Sequence, residues 1–385
     1  MKNIVAMVAY AQYFNDARIK GYVDTLIKNG YSVHIFCLHD KFSISLNSTK
    51  LKIRFLGKKY MGHSKKLYLL SYLIFFLKAS LYLGFYEIRY RYSVVHVHNQ
   101  PDFLVFSALI PKLFGSKIIL DLHDIMMAGV MTKFNSTQEG ILFKLMKLQT
   151  ALSVKFCDVL FCADHSQHEF LLSNGISKNE FYVFLNLPNE KFFKPSSKKS
   201  SNSKELKIIN HGTLSHRLGI DILIKAVEKA SEHVNVNLTL IGDGEQKEEL
   251  IDYCKRQNLI DRIIFFKDFI PVENLQGELE KYDLGVISMR YNPVYERCML
   301  PVKLLEYAYI GIPVITSDLY GIRKYFSEDM VEYVQPENLD QLVNKIILLY
   351  NDKKRREVLV SNASKFFEKF NWKSQEQNYL KIISS

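Results

Sequence analysis

Residues 300–315 read LPVKLLEYAYIGIPVI, a short helix running straight into a buried, parallel-type strand. Pro301 suits a first helical turn, where its missing N–H costs nothing. Gly311 suits the helix stop, and Pro313 keeps the helix from resuming. Pro-Val-Ile-Thr then opens the strand. A helix feeding a buried strand is the repeating step of doubly wound α/β sheets. Lys303 and Glu306, three residues apart, share a helix face near the N-terminal end. Unpaired N–H groups and the positive dipole end make that terminus a place for a diphosphate. Glu306, one turn further in, is placed to accept hydrogen bonds from ribose hydroxyls.

Outward from this stretch, strands and helices alternate. Strands are predicted at Ile4–Val8, Ser32–Leu38, Lys52–Leu56, Val94–His98, Lys117–Leu122, Asp158–Cys162 and Tyr182–Leu185. The polar run KPSSKKSSNSKE at 194–205 has no apolar period and reads as a linker. After it the pattern restarts, with strands predicted at Leu206–Asn210, Val236–Ile241, Ile263–Phe266, Leu284–Ser288, Val314–Thr316 and Val331–Val334. Two βαβ arrays imply two Rossmann-like doubly wound domains facing each other across a cleft. We expect an N-terminal domain over 1–188, a linker over 189–205 and a C-terminal domain over 206–369. A helix over 370–385 would cross back to the first domain. A chain of 385 residues suits two domains.

Charge is uneven. Residues 1–188 hold 22 Lys and Arg against 12 acids, and residues 189–385 hold 29 against 28, so nearly all of the +11 lies in the first half. Such a balance attracts anionic lipid, nucleic acid or a phosphorylated substrate. Nucleic acid is not expected, because no basic-aromatic module appears. The segment Leu67–Tyr86, whose only charge is Lys78, reads as a buried or membrane-docking helix rather than a span. The five cysteines are scattered, which fits reduced thiols in a cytoplasmic protein, and the basic, apolar-rich first half suits a peripheral place at the inner face of the plasma membrane.

His211-Gly212-Thr213 closes the first strand after the linker, with Arg217 and Gly219 before the next helix; Gly242 repeats the device one strand later. Glycine at a strand end lets backbone approach a phosphate that Arg217 can bind. In the first half His98-Asn99 and Leu120-Asp121-Leu122-His123-Asp124 end two strands. Alternation points His96 and His98 to one side, but no third ligand stands at metal spacing. There is no Asp-x-Asp triplet, no G-x-G-x-x-G after the first strand and no P-loop, which argues against a metal-held diphosphate and against a dinucleotide dehydrogenase.

Taken in order, these motifs resemble the retaining glycosyltransferases of the GT-B fold, family 4 (glycosyl transferases group 1), of the bacterial polysaccharide-assembly type. The resemblance spans the chain: Asp16-x-Arg18, His98-Asn99-x-Pro-Asp102, the His123 motif, His211 to Asp221, Gly242-Asp-Gly244, and Leu300 to Ile315. It implies transfer of a sugar from a nucleotide-sugar co-substrate, with no metal and no other cofactor. Glu306 would meet the ribose, while Gly212, Thr213, Arg217, Gly242, Lys303 and the amides near Met299, Leu300 and Pro301 would surround the diphosphate. Phe269 would border the base. His123, Arg217 and Lys303 would serve catalysis. Asp16, Arg18, Asn99 and Asp102 would face a lipid-linked or oligosaccharide acceptor, with peripheral contact to an anionic membrane. Departures are Cys298, eight positions before Glu306 where the family often has an acid, Thr213 for a frequent Arg, and Leu218 for a Lys. A nucleotide-sugar epimerase and a non-catalytic sugar-nucleotide binder of an assembly complex are the alternative readings.

Overall fold

The computed structural model describes residues 3–39, 49–60, 62, 64–127, 129, 140–195, 204–293 and 295–385. The chain forms two compact units: Met1–Asn186 with Lys373–Ser385, and Leu187–Trp372. Part of the expected linker, 196–203, lies outside the described residues.

Unit one is built on seven parallel strands: β1 (Ile4–Gln12), β2 (Ser32–Leu38), β3 (Leu51–Gly57), β4 (Val94–His98), β5 (Lys117–Leu122), β6 (Val159–Cys162) and β7 (Phe181–Val183). Their order is β3-β2-β1-β4-β5-β6-β7. The central strands are buried on both faces, as continuous apolar runs such as Val5–Ala9 demand. The helix Trp372–Ser384 packs its Tyr379, Ile382 and Ile383 inward. The Tyr379 hydroxyl meets His96 Nδ1 at 3.1 Å, and Lys117 Nζ donates to the Ile382 carbonyl at 2.9 Å. Tyr379 also sits 4.6 Å, ring to ring, from Tyr22.

Unit two holds six parallel strands: β8 (Leu206–Thr213), β9 (Val236–Asp243), β10 (Ile264–Lys267), β11 (Leu284–Ile287), β12 (Val314–Ser317) and β13 (Glu332–Val334), ordered β10-β9-β8-β11-β12-β13. Strand order reverses between β1 and β4 in the first sheet and between β8 and β11 in the second. Each reversal leaves a crevice at the strand C-termini, which is where such sheets bind ligands. The opening stretch forms the helix Val302–Ile310, ended by Gly311 at φ +80°, and then β12. Pro301 stands one position earlier than read from the sequence: it is the N-cap rather than a first-turn residue.

Candidate functional site

In unit two the site is assembled at the β8–β11 reversal. Gly285, on β11, leaves room for an aromatic ring: a β-carbon there would lie 2.5 Å from the ring of Tyr307. Tyr307 therefore lies flat on the sheet, fully buried, and its hydroxyl reaches the end of β8. It accepts from the His211 backbone N–H at 3.1 Å and meets His211 Nδ1 at 2.8 Å. The other ring nitrogen, Nε2, is 2.7 Å from Glu306 Oε2. A carboxylate only accepts, so Nε2 carries a proton and donates it to Glu306. Glu306 is thereby fixed in rotamer and remains partly accessible.

Lys303 comes from the same helix, one turn earlier. Its Nζ donates to Asn210 Oδ1 at 3.1 Å, and a β-carbon on Gly212 would stand 3.9 Å from it. The amine thus lies over the glycine one residue before the end of β8. Burial, with the nearby Arg217 guanidinium and against the opposing pull of Glu306, brings its pKa down from 10.5 to about 8. Gly242, at φ +137°, packs so tightly on the same strand end that a β-carbon would meet the Gly212 carbonyl oxygen at 2.0 Å. Thr213 is exposed at the strand terminus, and Arg217 is exposed in the loop that follows. Met299 and Leu300 lead into the N-cap, Pro301. Phe269 stands on the loop after β10, two strands from β8, and is 77% exposed. Cys298 is buried, and the Glu296 carboxylate accepts from the Tyr291 hydroxyl at 3.5 Å.

Arg290, which sequence reasoning missed, organises the loop between β8 and its helix. Its backbone N–H donates to the Arg217 carbonyl at 3.1 Å, its Nε to the His216 carbonyl at 3.0 Å, and its remaining nitrogens to Asp221 at 2.6 Å and Glu337 at 2.8 Å. Its place just past β11, at the reversal point, was the available signal.

In unit one the β1–β4 reversal holds a second polar cluster. Arg18 donates to both Asp121 oxygens, at 2.9 and 2.6 Å, and to Phe184 O and Asn186 Oδ1 at 3.1 and 2.5 Å. His98 Nδ1 lies 3.2 Å from Asp121 Oδ2. Burial pushes the Asp121 carboxyl up, but Arg18 and the His98 bond overcome this and hold it well below the usual carboxylate range. His96 is kept neutral, far below its ordinary pKa, by burial and by His98 beside it. Asp121 supplies the third group that spacing alone did not reveal: His96, His98 and Asp121 stand close enough to share an ion. The Arg18 guanidinium already occupies both carboxylate oxygens and places a positive charge there, which opposes a cation.

His123 follows β5. Its backbone N–H donates to Asn99 Oδ1 at 3.1 Å and its carbonyl accepts from Gln167 Nε2 at 3.0 Å, while its Nδ1 has no hydrogen-bond partner among the described residues. Burial lowers its pKa, favouring the neutral ring. Asn99 spends its amide on Asp102 Oδ1 at 2.9 Å and on the Asp124 carbonyl at 2.5 Å. Asp102 also accepts from Thr150 at 2.6 Å, and burial raises its pKa. Asp16 caps the helix Ala17–Lys28 through the Ile19 N–H at 3.0 Å. Each of the four residues expected to face an acceptor is engaged within unit one: Asp16 caps a helix, and Arg18, Asn99 and Asp102 bond at the strand ends.

Residues 192–366 match the model of the family described as Glycosyl transferases group 1. The matched residues lie within unit two. An uncharacterized glycosyltransferase of Methanocaldococcus jannaschii is 26% identical over 204 residues, covering 52% of this chain and 50% of the relative. The O-antigen biosynthesis glycosyltransferase WclY of Escherichia coli is 23% identical over 252 residues, covering 62% of this chain and 64% of WclY. The chain thus spans only half to two thirds of the length of these relatives. Among solved structures, Anabaena HepE in complex with UDP and glucose superposes with a TM-score of 0.74 at 15% identity, covering 99% of both chains. The fold is GT-B.

Proposed function

We propose that this protein is a retaining glycosyltransferase of hexosyltransferase type. It moves a sugar from a nucleotide-diphosphate donor, preferably a UDP-sugar, to a lipid-linked or glycan acceptor in cell-surface polysaccharide synthesis at the inner face of the plasma membrane. The observation that carries the reading is the arrangement of Glu306, His211 and Lys303 around Gly212 at the strand reversal, inside the segment that matches the family. A carboxylate oriented by a histidine ring suits the two hydroxyls of a ribose. A half-buried amine over a glycine near a strand end, beside a helix N-terminus, suits a diphosphate. The UDP in the HepE structure and the O-antigen role in the name of WclY support the choice of donor and acceptor classes.

The reaction needs stabilisation of the charge that develops on the departing nucleoside diphosphate. Lys303, the Arg217 guanidinium and the amides around Met299–Pro301 would supply it without a metal ion. The departing phosphate itself would accept the proton of the acceptor hydroxyl, so that transfer proceeds on one face and no second carboxylate is required. In unit one, the Nδ1 of His123, which has no hydrogen-bond partner among the described residues, would meet a sugar hydroxyl. The test is release of nucleoside diphosphate from UDP- and GDP-sugars with a polyprenyl-diphosphate glycan. Background release from every donor by folded protein would overturn the reading. Turnover of a donor without acceptor would favour the epimerase.

A further inference from the structure

Helix Lys65–Tyr90 joins β3 to β4 across the face of the first sheet. One side packs inward: Tyr72, Phe75, Ala79 and Leu83 are buried, and Tyr10 of β1 bonds Ser71 at 2.7 Å. The opposite side is also apolar. Leu67, Leu70, Ile74, Leu77, Leu81 and Phe85 recur at three- and four-residue steps, all exposed, reaching 73% at Leu81. Leu109–Phe114 packs against this helix, with Ile110 over Gly84, and exposes Leu109, Leu113 and Phe114. The helix Ile141–Phe156, whose Phe156 ring meets Phe106 in the turn before that segment, exposes Ile141, Leu145, Leu148 and Leu152. Contiguous exposed apolar surface of this extent marks an interaction site.

Charge identifies the partner. From residue 50 to 112 the sequence carries eleven Lys and Arg against two acids, Glu87 and Asp102, both buried. A groove of 610 Å³ lined by Phe55, Leu56, Lys78, Leu81, Tyr82 and Phe85 opens on the same side, and Arg54 lies over the Tyr82 ring at 4.3 Å. We propose that this face docks on an anionic lipid bilayer, with its leucines in the acyl region, its cations at the headgroups and the groove seating an acyl chain. A second copy fits less well, because an isologous pairing would set these cations against their own images. The helix is long and apolar enough to span a membrane, with a mean hydropathy of 1.6. It is nevertheless tied at both ends into one sheet, and the Glu87 carboxylate accepts from the Tyr92 N–H at 3.1 Å, bonds a span would break.

The test uses the full chain with vesicles of equal parts phosphatidylglycerol and phosphatidylcholine, and with phosphatidylcholine alone. The wild type should co-sediment with the anionic vesicles, less so at high salt. The variant L77E/L81E/F85E, altered only at exposed positions, should lose binding while keeping its melting temperature. R54Q/K78Q should weaken binding about thirtyfold, as expected for about 1 kcal/mol per cation. Wild-type protein that ignores anionic vesicles, or a triple variant that binds as well as wild type, would overturn the proposal. So would a dimer by light scattering that dissolves in the triple variant while vesicles go unbound. The readout needs no sugar donor, and Glu306→Ala should bind vesicles like wild type, so failure here and failure of the transferase reading are distinguishable.

Discussion

Lys303 makes donor binding depend on pH in a way that isolates one amine. Its pKa is brought down from 10.5 to about 8, chiefly by burial. The amine is therefore about nine-tenths charged at pH 7 and about one-tenth charged at pH 9. A bound diphosphate favours the charged form and draws the pKa back toward its ordinary value. The sign follows: attraction is fully present below about pH 8 and is lost as pH rises through it. Affinity for UDP should fall about tenfold from pH 7 to pH 9, roughly 1.4 kcal/mol. Titration calorimetry over this range, in buffers of different ionisation enthalpy, should show close to one proton taken up on binding at pH 9. Lys303→Arg, which cannot titrate here, should bind without that inflection, and the ratio of the two curves cancels ionisation of the ligand itself. A flat wild-type profile, or the same slope in Lys303→Arg, would refute the placement of the diphosphate at Lys303.

Three further outcomes follow from the same geometry. Gly242→Ala places a β-carbon 2.0 Å from the Gly212 carbonyl at φ +137°; it should cost about 2–4 kcal/mol in urea unfolding and weaken UDP binding, whereas a wild-type midpoint would show that the strand ends are looser than described. Asp121→Asn leaves the buried Arg18 facing a neutral amide and should cost about 3–5 kcal/mol. Because the folded Asp121 pKa is depressed, the wild type should lose this stability as pH falls below the ordinary carboxylate range, and the variant should lack that part of the acid dependence. Transfer activity should survive an excess of EDTA, and its abolition with recovery on adding a divalent cation would place a metal where we place Lys303 and Arg217.

Much of this architecture was legible because α/β punctuation is local. Gly311 after an apolar helix and Pro313 before a β-branched run mark their own boundaries, and the strand readings at Ser32–Leu38 and Val94–His98 match the observed limits. Glu306 and Lys303 were legible for the same reason, as two positions on one short helix. What joins them to the rest was not. His211 meets Glu306 across 95 residues, and Arg18 meets Asp121 across 103; only the strand order brings such pairs together. The His96–His98–Asp121 grouping escaped a spacing rule because its third member arrives from the neighbouring strand β5. Helix Lys65–Tyr90 was legible in part: an apolar run does not say which of its faces the protein covers, and here one side of it is exposed.

The claim that the β8–β11 reversal is a nucleotide-sugar site is tested most directly by calorimetric binding of UDP and of GDP to the wild type and to Glu306→Ala. Glu306 is partly accessible and bonds through His211 rather than through the core, so the variant should keep its melting temperature within a few degrees. We expect the wild type to bind at least one of the two nucleotides, and the variant to bind it about ten- to a hundredfold more weakly, as the loss of charge-assisted hydrogen bonds to the ribose requires. Unchanged affinity in a folded Glu306→Ala would contradict the account.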